Sequence, residues 1–163
     1  MTPDASAELA NYWNDVAGRH PNLGNAYTAL RRAARNLLPD DIAAVGAAVI
    51  DDVPTALALG GAELFLVRAV AGDDGQSTTV TMTRLPVAAD RITVELTDGL
   101  AGGTESQPAL LRHWKFTWPD ERSVEFDAVA HFYGGWGDGP DSAELLARAL
   151  ADIVGWKLPS YDS

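Results

Sequence analysis

The chain has 163 residues and a mass of 17.3 kDa, with 47% apolar and 21% charged side chains. Twelve Lys and Arg against 23 Asp and Glu give a net charge of −11. This composition fits a soluble globular protein and disfavours a disordered chain, a disulfide-framework mini-protein and a general nucleic-acid binder. Cysteine is absent, which excludes disulfides, thiolate metal sites and cysteine nucleophiles.

The first residues lack the basic and apolar regions of a signal peptide, so none is expected. The longest apolar run, Ile42 to Ile50, has nine residues, whereas a spanning helix needs about 20. A soluble, cytoplasmic protein is the expectation.

Two helices are expected to open the chain. Asp4 or Ser6 caps the first, along which Leu9, Tyr12, Trp13 and Val16 fall at helical spacing. Asn22 or Asn25 caps the second, whose apolar stripe is Tyr27, Leu30, Ala34, Leu37 and Leu38. Arg31, Arg32 and Arg35 lie on its other face as a solvated basic cluster, and Pro39 stops it.

The period then changes from helical to alternating. Residues 42–50 read as a strand or a short helix, and the strand is favoured because Asp51-Asp52-Val53-Pro54 turns the chain at once. Further strands are expected at 55–59, 63–71, 77–85 and 91–97, with turns at Gly60-Gly61 and 72–75. Residues 98–108 read as a mobile loop. A hairpin follows. Trp114, Phe116 and Trp118 share one face with Val124, Phe126 and Ala128, while His113, Lys115, Glu125 and Asp127 take the other. Phe132 to Pro140 is a glycine-rich loop. Asp141 or Ser142 caps a last helix to Trp156, with Ala143, Leu146, Ala147, Leu150, Ile153 and Val154 as its buried stripe.

The expected architecture is therefore α+β. An N-terminal helical pair (1–38) precedes a bent antiparallel sheet or small barrel of about seven strands closed by a C-terminal helix (39–163).

Leu38-Pro39-Asp40-Asp41-Ile42, the pair Thr55–Leu59 and Leu64–Val67, the Trp114-Lys115-Phe116 and Val124-Glu125-Phe126 hairpin, and the helix Glu144–Trp156 carry a resemblance. Residues 39–157 resemble the bacterial pleckstrin-homology-like (PH-like) domains. The resemblance implies a fold and a binding role, with no catalytic signature. Gly60-Gly61-Ala62-Glu63 departs from the polar, Arg-containing turn common there. Phosphoinositide binding is not carried over, because the early loops hold Asp51, Asp52, Asp73 and Asp74.

The three histidines, His20, His113 and His131, form no metal-ligand spacing, and no serine sits in a nucleophile elbow. His113 or His131 beside Asp127 or Glu125 is the one arrangement that suits a general base. The acidic pairs fall in turns, where Asp bonds its own backbone. Gly134–Gly139 lacks the spacing of a phosphate cradle.

No catalytic residue, metal ligand or cofactor is assigned. The candidate binding residues are Phe132, Tyr133, Trp136 and Asp138 in the glycine-rich loop, with Trp13 on the first helix. The expected role is a non-catalytic binding or adaptor module for a protein partner, with homo-oligomers open and with no nucleic-acid or stable membrane binding. The alternative is a small apolar-ligand carrier or enzyme using Tyr133, His131 and Asp127 around a cavity.

Overall fold

The computed structural model describes residues 7–8, 32, 36, 38–51, 53–74, 76–87, 91–101, 109–132 and 140–157. Its elements are β1 (Ile42–Ile50), β2 (Val53–Gly60), β3 (Glu63–Ala71), β4 (Thr78–Pro86), β5 (Thr93–Ala101), β6 (Ala109–Thr117), β7 (Ser123–Phe132) and α1 (Ser142–Ile153). The chain divides into two compact units, residues 1–86 and 87–163.

The first unit carries a four-stranded antiparallel meander in the order β1-β2-β3-β4. Its turns are short. Ile50 pairs with Val53 across Asp51-Asp52, and Asp51 takes a positive φ of 52°. Gly60 pairs with Glu63 across Gly61-Ala62, where Gly61 supplies a φ of 56°. At the β3–β4 turn, Asp74 Oδ1 accepts from the N–H groups of Gln76 and Ser77 at 3.0 and 2.9 Å. Those bonds hold its carboxyl below the usual range, so this acid serves its own turn. Every residue of β2 from Pro54 to Gly60 is buried, so this strand is covered on both faces. That is why polar and apolar residues do not alternate along it and its middle, Ala56 to Leu59, is Ala and Leu only.

The second unit carries a three-stranded antiparallel meander, β5-β6-β7, and α1. Its hairpin closes through Trp118 and Arg122. Trp118 accepts from the Glu121 N–H at 3.0 Å and donates to the Arg122 carbonyl at 2.8 Å. Glu121 takes a φ of 69°. Asp141 caps α1 by accepting from the Glu144 N–H at 2.9 Å. Gly155, at φ 77°, ends it: Trp156 donates to Ala151 and Gly155 to Asp152, the pattern of a Schellman motif.

The expected architecture is corrected. The described elements are seven antiparallel strands in two sheets and one C-terminal helix, with no N-terminal helical pair and no single barrel among them. The positions assigned to those two helices lie almost wholly outside the described residues, as does Trp13. One continuous sheet fails between β4 and β5. Pro86 closes β4, and among the described residues β5 pairs with β6 alone.

Smaller corrections follow from local composition. Strand β5 runs on to Ala101, four residues into the expected loop, because Asp98 pairs opposite Arg112 on β6. The 42–50 run is a strand, as favoured. Ile153 is 42% exposed, and Ala151 takes its expected place in the buried stripe of α1.

Candidate interaction face on the second sheet

Alternation along β6 divides its side chains between two faces. Arg112, Trp114 and Phe116 are buried, while His113, Lys115 and Thr117 are half-buried on the opposite side. On the buried side Trp114 and Phe116 stack at 5.7 Å with an interplanar angle of 2°. Phe126 from β7 lies 6.4 Å from Phe116, and Trp156 meets Trp114 edge-on at 5.7 Å.

Glu144, 0% exposed, projects from the first turn of α1 into this face. Its Oε1 accepts from Arg112 at 2.7 Å and from Arg148 at 3.0 Å, and its Oε2 accepts from the Trp114 indole at 2.6 Å. Arg112 also donates to Asp98 at 3.0 Å. Burial works against the Arg112 charge, but the bonds to Glu144 and then Asp98 outweigh it and raise its pKa. Arg112, Trp114 and Arg148 all donate to the one carboxylate of Glu144, so the network fastens helix to sheet.

The opposite face has a different character. The register sets Glu95, Lys115 and Glu125 in one row across β5, β6 and β7, and Thr97, His113 and Asp127 in the next. His113 bridges the two acids of β7. Its Nδ1 lies 2.8 Å from Asp127 Oδ1 and its Nε2 lies 3.1 Å from Glu125 Oε2. Asp127, then Glu125, raises its pKa against the opposing effect of burial. Both ring nitrogens donate only when the ring is the imidazolium. A ring committed at both nitrogens offers no lone pair to a metal or to a substrate proton. Among the described residues no group of three or more His, Asp or Glu is arranged to hold a metal ion.

The meeting of His113 with Asp127 and Glu125 is the juxtaposition that alternation in the sequence suggests. Of the expected binding residues, only Phe132 falls among the described residues. Phe132 ends β7 opposite Ala109 and so belongs to a strand rather than to the loop. Tyr133, Trp136, Asp138 and Trp13 lie outside the described residues. Asp127 stands on the exposed face, with its side chain 72% exposed, which removes it from any cavity.

A second feature has no forerunner in the sequence reading. In the first unit an open groove of about 700 Å³ is lined by Pro39, Asp41, Gly61, Glu63, Phe65 and Met82, among others. Arg84 borders it, donating to Glu63 at 2.6 Å with its guanidinium 5.6 Å from the Phe65 ring centroid. These residues come from β3, β4, the β2–β3 turn and the segment before β1, and only the hairpin register assembles them.

Among the described residues no helix is long and apolar enough to cross a membrane. Comparison of the chain with protein-family models, curated proteins and solved structures gives no match.

Proposed function

We propose that the protein is a non-catalytic binding module that recognises a protein partner through the outer face of β5-β6-β7. One observation carries this reading. Three carboxylates, Glu95, Glu125 and Asp127, stand with His113 and Lys115 in two lateral rows on a single sheet face. Asp127 and Glu125 each use one oxygen on His113. The charges therefore remain on an open surface, where they steer and orient a partner. The acidic excess there, in a chain of net charge −11, suits a basic protein surface and repels phosphate. The PH-like resemblance of residues 39–157 and the binding role it implies belong to the same proposal. A cytoplasmic location belongs to the same proposal.

The test is the double charge reversal Glu95→Lys and Glu125→Lys, compared with the parent in affinity capture from the native source at low and physiological salt. Loss of specific partners with an unchanged thermal melt supports the reading. Retention of every partner overturns it and transfers attention to Trp136.

The groove beside Phe65 favours a second reading, a small apolar ligand. Its volume of about 700 Å³ is within the range of ligand pockets, and Phe65 and Met82 line it. Saturable fluorescence of a naphthalene-sulfonate dye that Met82→Glu abolishes would support that reading, and dye binding unaffected by Met82→Glu would remove it.

A further inference from the structure

Strand β4 has one partner. Among the described residues it pairs with β3 alone, so every second backbone N–H and C=O from Thr78 to Leu85 faces away from the sheet. Its register with β3 runs from Ala71↔Thr78 to Glu63↔Pro86 without a shift. The other outer strands are blunted. β1 has an irregularity between Ile42 and Ala44, β7 pairs with β6 through a shift at Leu110/Leu111, and β5 carries Glu95 and Asp98. Strand β4 carries its one charge, Arg84, and its one proline, Pro86, only at its end, so the stretch Thr78–Thr83 lacks the devices that keep edges apart.

The strand is also self-complementary. About Thr81 the sequence reads nearly the same in both directions: Thr79 mirrors Thr83, and Val80 mirrors Met82. Thr79, Thr81 and Thr83 are exposed, and Val80 and Met82 are half-buried. Antiparallel pairing of two such strands sets threonine against threonine on one face and Val80 against Met82 on the other. We propose that β4 pairs with β4 of a second copy of this chain, antiparallel about Thr81, joining two four-stranded sheets into one of eight.

A two-fold pairing uses the same patch on both copies and closes on itself, which a near-palindromic strand satisfies and a one-directional peptide site does not need. Charge favours the same arrangement. Copies of net charge −11 repel one another, and the uncharged run Thr78–Thr83 is where approach costs least. Strand β4 belongs to the first unit and the outer face of β5-β6-β7 to the second, and neither reading depends on the other.

The absence of cysteine makes the test direct, because Thr79→Cys, Thr81→Cys and Thr83→Cys each introduce a single thiol. Under mild oxidation Thr81→Cys should form a covalent dimer. Thr79→Cys and Thr83→Cys should cross-link to each other when mixed but not to themselves, since self-pairs there lie beyond the Cα separation of about 7 Å that a disulfide spans. Light scattering should give twice the 17.3 kDa chain mass for the parent, and Thr81→Lys should give the single-chain mass with unchanged circular dichroism. A monomeric parent across the accessible concentration range overturns the proposal, including the case where β4 instead accepts a strand of another protein. Equal cross-linking of all three cysteine variants overturns it too, as does a dimer that survives in folded Thr81→Lys. If Thr81→Lys does not fold, the cysteine pattern decides.

Discussion

The indole Nε1 of Trp114 donates to Oε2 of Glu144 at 2.6 Å, joining the middle of β6 to the first turn of α1 inside the core. The same carboxylate accepts from Arg112, whose guanidinium is also buried, so helix and sheet are docked by a charged group rather than by apolar contact alone. Such an arrangement fixes the rotation of α1 on the sheet. Its energetic worth shows mainly when one member is removed.

Glu144→Ala should therefore cost about 3–5 kcal/mol, because it strands the Arg112 charge and the Trp114 N–H in the core. Glu144→Leu combined with Arg112→Met should recover the part of that loss due to the stranded charge, while the Trp114 N–H stays without its acceptor. Urea denaturation of the single and double variants measures the difference. Equal losses in both would mean that the ion pair itself, and not the stranded charge, dominates.

His113 makes stability depend on pH. Its folded pKa is raised above the ordinary 6.5, first by Asp127 and then by Glu125, so the native state holds the proton more tightly than the unfolded chain does. The stabilisation is complete below about pH 6.5, while both carboxylates remain ionised, and is lost as pH rises through the folded value. His113→Gln should lower the denaturation midpoint at pH 6 and leave it unchanged at pH 9. An NMR titration should show the ring protonated above its ordinary range.

The hairpin aromatic face was legible in the sequence because a period of two, held over Trp114–Trp118 and Val124–Ala128, has one solution. Phe116 is 0% exposed there, so Phe116→Ala should cost about 3–5 kcal/mol by calorimetry. The pairing of His113 with Asp127 followed from the same register. The continuation of β5 through Asp98-Gly99-Leu100 was not legible, because those residues carry the composition of a turn and only the long-range bond from Arg112 to Asp98 favours a strand. Ile153 misled for a related reason. Helical periodicity admits both 151 and 153 at the edge of the stripe, and burial chose Ala151. The groove beside Phe65 has no sequence signature, since Asp41, Glu63 and Met82 meet only through strand pairing.

Glu121 occupies the left-handed region at φ 69°, as the fourth residue of the β-turn begun by Trp118. An L side chain there costs on the order of 1 kcal/mol or more, of which the greater unfolded freedom of glycine returns part. Glu121→Gly should thus raise the melting temperature modestly, by a few degrees at most. Glu121→Val, β-branched in the same conformation, should lower it. A lower melt for the glycine variant would show that the Glu121 side chain contributes more than its backbone strain costs.

Gly60 closes the β2 strand against the start of β1, opposite Ile42. A Cβ there would lie 2.9 Å from Ile42 Cδ1 and 3.0 Å from the carbonyl oxygen of Asp41. The first clash is with the end of a flexible side chain and is easily relieved. The second is with backbone, and moving it disturbs the irregular pairing between Ile42 and Ala44. Gly60→Ala should therefore destabilise by about 1–3 kcal/mol, the usual cost of forcing a packed site apart. Ile42→Val in the same chain removes Cδ1 and should restore only a minor part of the loss. Full rescue by Ile42→Val would show that the Asp41 backbone yields freely, and that glycine is required at this position only to make room for the Ile42 side chain.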